Sequence, residues 1–290
     1  MSGANGLRSG GQVLVDQLRI HGVDTVFCVP GESYLTVIDA LHDAQNEIKT
    51  VACRQEGGAT NMAEAFGKLT GKPGVAMVTR GPGACNGSIG VHTAMQDSTP
   101  MVIFIGQVAR DQEYREAFQE VDYHKFYGAI CKEVVQIDSA DRVPELVSQA
   151  FHVAASGRPG PVAVSIPEDM QRDMVDVADA RSFQIVRPEV GPKAMRAFRG
   201  QLDSAERPLM ILGGAGWSEQ ACSDIKAFAE TNAIPVAASF RCQDLFDNMH
   251  ENYAGELGTS ASPKLLQRVK DADLLIVVGS RLGEMTSGGY

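Results

Sequence analysis

A chain of 290 residues is long enough for about two domains, and 44% apolar residues allow each to bury a core. With 36 acidic against 26 basic residues the net charge is −10, and no basic stripe interrupts the acidic excess. Nucleic acid and anionic membrane surfaces are therefore excluded as partners, because such binding draws on clustered Lys and Arg.

Met1 to Gly11 is rich in Gly and Ser and lacks an apolar stretch, so no signal peptide is expected. No run of about 18 apolar residues follows, so no membrane span is expected and the location reads as cytoplasmic. A helix is predicted from about Gln12 to His21, with Leu14, Val15 and Leu18 on one face and Gly22 as its stop. Thr25 to Val29 reads as a buried strand ended by Pro30-Gly31, and a helix carrying Leu35, Ile38 and Leu41 follows. Val51 to Cys53 is a short strand. Ala59, Met62, Ala63, Phe66 and Leu69 then mark a helical face closed by Gly71. Val75 to Val78 is the next strand, followed by Gly81-Pro82-Gly83 and a small-residue helix through Met95. Met101 to Ile105 is the plainest core strand of the chain, and Gly106 to Lys132 is polar and irregular. Val134–Ile137, a helix over about 142–155 and Pro161–Ile166 complete the first series. Between about Glu168 and Pro192 the periodicity breaks, as in a linker. A second series has strands at Leu209–Leu212, Ile234–Ala238 and Leu274–Val278, with a helix at Ser218–Thr231. Three strands are thin for a closed layer, so this domain reads as cut short. The alternation throughout predicts an α/β fold of parallel sheets with helices on both faces.

Ligands of open parallel sheets bind beyond the carboxyl ends of the strands. Three glycine-bearing segments fall at such ends: Pro30-Gly31-Glu32, Arg54-Gln55-Glu56-Gly57-Gly58 and Thr79-Arg80-Gly81-Pro82-Gly83-Ala84-Cys85-Asn86. Glu56 stands at a strand-to-helix junction and has two readings. An acid in a first helical turn is favourable by roughly 0.3–1 kcal/mol. An acid beside glycines can also exchange a proton with a flat ring laid against the backbone. Gly213-Gly-Ala-Gly216 lacks the spacing of a dinucleotide loop. Cys28, Cys53, Cys85, Cys131, Cys222 and Cys242 lie far apart, with no zinc or disulfide pattern, and read as small apolar residues. His42, His92, His124, His152 and His250 show no metal-binding or His-acid spacing, so no metal site is expected on this chain.

Taken together, Arg54 to Gly67, Gly71 to Gly74 and Thr79 to Asn86 resemble the acetolactate synthases and related thiamine-diphosphate enzymes. So do Asp97-Ser-Thr-Pro100, Gly106-Gln107, Ala117-Phe-Gln-Glu120 and Gly157-Arg-Pro-Gly-Pro161 with Ile166-Pro167. The resemblance implies a disordered N-terminus at 1–8, a pyrimidine-binding domain at 9–172, a linker at 173–192 and an incomplete, Rossmann-like central domain at 193–290. It implies that Glu56 hydrogen-bonds N1′ of the cofactor aminopyrimidine. Pro30, Gly31, Gly81 and Asn86 would line the cofactor pocket, and Phe118 and Gln119 would face a 2-keto acid substrate. It further implies a homodimer or homotetramer with the site at the subunit interface.

Departures from the family pattern refine these expectations. Gln55 stands where many relatives carry His, and Arg80 replaces a usual small residue. The adjacent His pair of pyruvate decarboxylases is absent, which speaks against that activity. Arg281-Leu-Gly-Glu-Met285 keeps the Arg of a flavin-associated pattern but not its acids, which speaks against FAD. No Gly-Asp-Gly occurs, so magnesium and the diphosphate are expected to be held by a domain outside these residues, in cis or in trans. The isolated chain is accordingly expected to be inactive. The alternatives are a 2-keto acid decarboxylase or lyase, or a fragment that only dimerises or binds ligand.

Overall fold

A computed structural model describes residues 6–185 and 189–290. The chain divides between residues 187 and 188 into two compact units.

The first unit opens with β1 (Arg8–Ser9), which pairs antiparallel with β8 (Met174–Val175). α1 (Gly10–Ile20) starts two residues earlier than its apolar face predicts, because Ser9 and Gln12 close a capping box at its N-terminus. β2 (Thr25–Cys28), α2 (Leu35–Asp43), β3 (Lys49–Ala52) and α3 (Glu56–Thr70) follow. Next come β4 (Gly74–Val78), α4 (Pro82–Asp97) and β5 (Met101–Gln107). The segment expected to be irregular contains a short helix, α5 (Tyr123–Tyr127), before β6 (Glu133–Gln136), α6 (Val143–Ala155) and β7 (Pro161–Pro167). Strands 2 to 7 form one parallel sheet in the order β3-β2-β4-β5-β7-β6.

Burial follows from strand periodicity. β5 and β7 are buried along their whole length, as central strands covered on both faces must be. Val102 and Phe104 join the core under α1, α2 and α6, while Met101, Ile103 and Ile105 join the core under α3, α4 and α5. The segment after β8 stays on this unit: Phe183 lies 5.6 Å from the His21 ring, which stacks on Phe151 at 5.0 Å. Of the N-terminus expected to be disordered at 1–8, the first five residues lie outside the described residues, whereas Arg8 forms β1 and pairs with Asp16 and Asp179.

The second unit comprises α7 (Pro192–Ser204), β9 (Pro208–Leu212), α8 (Glu219–Thr231), β10 (Val236–Ser239) and β11 (Tyr253–Leu257). α9 (Pro263–Asp271), β12 (Leu274–Val278) and α10 (Glu284–Ser287) complete it. Its parallel sheet runs β11-β10-β9-β12, four strands where the apolar runs predict three. β11 escapes sequence reading because Tyr-Ala-Gly-Glu-Leu has no apolar run and Gly255 breaks its regularity at φ +118°. Met210 and Leu212 face the core under α7 and α8, and Ile211 faces Leu265 of α9.

Both sheets contain a point where the order of strands reverses, between β2 and β4 in the first unit and between β9 and β12 in the second. These are the places where a crevice opens beyond the carboxyl ends of the strands.

Candidate active site

The β2/β4 reversal gathers the segments singled out from the sequence. Gly31 follows β2 and lies directly on Thr79, which follows β4; a Cβ on Gly31 would come within 2.5 Å of the Thr79 Cβ. Ser33 Oγ meets Thr79 Oγ1 at 2.8 Å and accepts the Arg80 amide at 3.1 Å, so the two strand ends are tied together. Tyr34 is buried and donates its hydroxyl to the Val29 carbonyl, which fixes the turn that presents the exposed Pro30. Burial, followed by the nearby Cys28, Glu56 and Cys53, pushes the Tyr34 phenol up, keeping it the donor.

Glu56 is the first residue of α3, whose N-terminus is capped by the Gln55 side chain accepting the Gly58 amide at 2.9 Å. The helix therefore has its cap without Glu56. α4 packs onto α3 at backbone distance, since a Cβ on Gly90 would reach 2.5 Å from Thr60, and this brings Asn86 opposite Glu56. Asn86 Nδ2 donates to Glu56 Oε2 at 3.1 Å. The other oxygen, Oε1, lies 3.5 Å from where a Gly83 Cβ would stand. A half-exposed carboxylate thus has one oxygen held by an amide and the other beside a glycine.

Gly81 makes the turn between β4 and α4 at φ +53° and ψ −103°, a conformation that L side chains rarely adopt. Its missing Cβ also makes room for the Gln119 carbonyl, which would lie 2.6 Å from it. The Gly81 amide donates to the Tyr123 hydroxyl at 3.1 Å, and that hydroxyl reaches the Gly106 carbonyl at 3.3 Å. Burial pushes the Tyr123 phenol up to about 12. Gln119 itself sits at φ +64°, and Phe118 is 73% exposed.

Of the residues expected at the site, the structure brings Glu56 and Asn86 into contact and sets Gly31 against Thr79 and Gly81 against Gln119. The Phe118 ring is turned outward, and only its carbonyl is engaged, by Arg80. Ser33, Tyr34, Thr79, Arg80 and Tyr123 were not expected to take part. The signal that could have found Arg80 is a charged side chain at the carboxyl end of a fully buried strand, inside a glycine turn.

The residues present fit an aminopyrimidine. The chemistry of Glu56 carries the fit: Asn86 holds one carboxylate oxygen and the other stands beside Gly83, while Thr79 and Gln119 take up the places of the missing Cβ atoms at Gly31 and Gly81. Among the described residues no group of His, Cys, Asp and Glu gathers as a metal site would need, and no helix is long and apolar enough to cross a membrane.

Comparison with known proteins agrees with this geometry. The N-terminal TPP binding domain of thiamine pyrophosphate enzymes matches residues 8–126, and their central domain matches residues 196–290. The acetolactate synthase large subunit of Parasynechococcus marenigrum is 36% identical over 97% of this chain and 47% of its own length. The isozyme 2 large subunit of Escherichia coli is 35% identical over 97% of this chain and 51% of its own. The acetolactate synthase of Arthrospira platensis is 33% identical over 97% and 50%. The chain spans about half the length of these relatives. It belongs to the thiamine pyrophosphate enzymes, of which it carries the N-terminal TPP binding domain and the central domain.

Proposed function

We propose that this chain is the pyrimidine-binding half of an enzyme that joins 2-keto acids in the manner of acetolactate synthase, with Glu56 as the residue that serves the cofactor ring. The observation that carries the reading is the Glu56 carboxylate at the strand-order reversal, with Oε2 fixed by Asn86 and Oε1 beside Gly83. Thiamine diphosphate, when bound, supplies a thiazolium that takes up the electrons released as a 2-keto acid loses carbon dioxide.

The chain's own residues hold and supply a proton. Glu56 would offer Oε1 to N1′ of the aminopyrimidine and share a proton there, with the Asn86 amide keeping Oε2 from turning away. A proton held in place in this way contributes about 10²–10⁴-fold to rate. Pro30, Gly31 and Gly81 line the ring's pocket, and Gln119, resting on Gly81, brings itself and Phe118 to the substrate side.

Magnesium and the diphosphate are assigned to residues outside this chain, since no Gly-Asp-Gly occurs within it. The site is placed at an interface between subunits of a homodimer or homotetramer in the cytoplasm. Flavin is left out of the reading: Arg281 is followed by Leu-Gly-Glu rather than by paired acids.

Purified chain joined with its diphosphate-binding half, given pyruvate and thiamine diphosphate, tests the reading through its product. Acetolactate is the expected product. An aldehyde as sole product would move the enzyme to the decarboxylases, and turnover of pyruvate by the 290-residue chain alone would overturn the division of the site.

A further inference from the structure

Arg80 takes no part in the chemistry above, yet its side chain is only 11% exposed at the mouth of the site. Its Nε donates to the Phe118 carbonyl at 3.2 Å. One terminal nitrogen reaches Glu168 at the end of β7 at 2.9 Å, and the other reaches Glu32 in the turn after β2 at 3.1 Å. Its amide is held by Ser33. A single guanidinium thus joins the strand ends of β2, β4 and β7 to the segment that carries Phe118 and Gln119.

That segment needs an outside hold. Tyr114, Glu116 and Gln119 all adopt left-handed backbone at φ +60°, +57° and +64°, and such residues persist only where surroundings impose them. Glu120 supplies part of the restraint from within, its carboxylate accepting the Tyr114 and Ala117 amides at 2.6 and 3.1 Å. Gln136 of β6 donates to the Glu113 carboxylate at 2.7 Å and Gln107 of β5 to the Val121 carbonyl at 2.9 Å, which holds the two ends; between them Arg80, with the Gly81 contacts, fastens the stretch that carries Phe118 and Gln119. The planar fork suits this task, because it donates in three directions at fixed angles, whereas an ammonium acts as a point charge. Without it, Glu32 and Glu168 would be left as like charges flanking one gap.

We propose that Arg80 is a positioning residue that clamps the Phe118–Gln119 segment and the Pro30–Glu32 turn onto the carboxyl end of β4, and thereby sets how tightly the 2-keto acid is held. The consequence for substrate rests on the function proposed above; the clamp does not.

Two measurements separate them. In the 290-residue chain, trypsin cleavage after the exposed Arg115 reports release of the segment, with cleavage after Arg199 in the second unit as reference. Arg80→Ser is expected to speed the Arg115 cut at least tenfold relative to Arg199, and Arg80→Lys to fall between. An unchanged ratio in Arg80→Ser overturns the clamp. Should Arg80→Ser not fold, Glu168→Gln loosens the same contact and is expected to raise the ratio, and no rise in it is equally contrary. In the enzyme assembled with its diphosphate half, Arg80→Ser is expected to raise KM for the keto acid about tenfold with kcat within threefold, and Arg80→Lys to recover part. A fall in kcat at constant KM overturns the role in substrate holding. An assembled wild-type enzyme that turns over no 2-keto acid removes the proposed function, and the proteolysis ratio still decides the clamp.

Discussion

The two units share a plan and differ in what they do with it. Each is a parallel sheet with a reversal of strand order, between β2 and β4 in one and between β9 and β12 in the other, and each places glycine loops there. In the first unit the glycines pack on Thr79 and Gln119, and a half-exposed carboxylate, Glu56, stands beside Gly83. In the second, a Cβ on Gly279 would overlap the Gly213 carbonyl, one on Gly214 would overlap the Gly279 carbonyl, and Trp217 covers the contact. Topology makes a crevice possible in both places; the side chains and the spacing of the glycines decide which one offers chemistry.

The largest effect should come from the strand reversal that carries the carboxylate. Glu56→Gln keeps size and hydrogen-bonding reach but cannot exchange a proton, so carboligation in the assembled enzyme is expected to fall about 10²–10⁴-fold, measured as kcat. Backbone strain is next. Gly81→Ala meets the Gln119 carbonyl at a positive φ, and Gly279→Ala meets the Gly213 carbonyl likewise. Each is expected to cost on the order of 2–4 kcal/mol in urea unfolding, but only Gly81→Ala should also abolish cofactor-dependent activity. Equal loss of activity from the two would erase the contrast between the units. Asn86→Ala removes the bond that orients Glu56 and should lower kcat about tenfold with little change in stability.

The smallest effect concerns what holds the first unit's outer segment. Burial between Phe151 and Phe183 pushes the His21 imidazole down to about 4. The unfolded chain takes up a proton near the usual 6.5 that the folded chain refuses, so stability is complete above that pH and declines as pH falls toward 4. Allowing for partial exposure the loss is about 1–2 kcal/mol. His21→Phe should flatten the dependence between pH 6.5 and 4, and a dependence that persists in the variant contradicts the assignment.

Several of these features were open to inspection in the sequence. The unbroken apolar runs of β5 and β7 announce buried parallel strands, and Glu56 between a strand and two glycines announces a loaded junction. Contacts between distant parts of the chain were not. Arg80 finds its partners 48 and 88 residues away, and Asn86 meets Glu56 across 30 residues because α3 and α4 pack at glycine distance. His21 carries no pattern at all, since its partners are two Phe residues far along the chain. β11 was hidden for a different reason, its pairing with β10 being made by backbone groups that a Gly and a Glu side chain do not advertise.

Proton passage at one carboxylate is the claim on which the rest stands. Hydrogen–deuterium exchange at the thiazolium C2 of bound thiamine diphosphate measures it without any substrate. Exchange in Glu56→Gln slower than wild type by two orders of magnitude or more is the predicted result. Exchange at the wild-type rate would show that this side chain does not serve the ring.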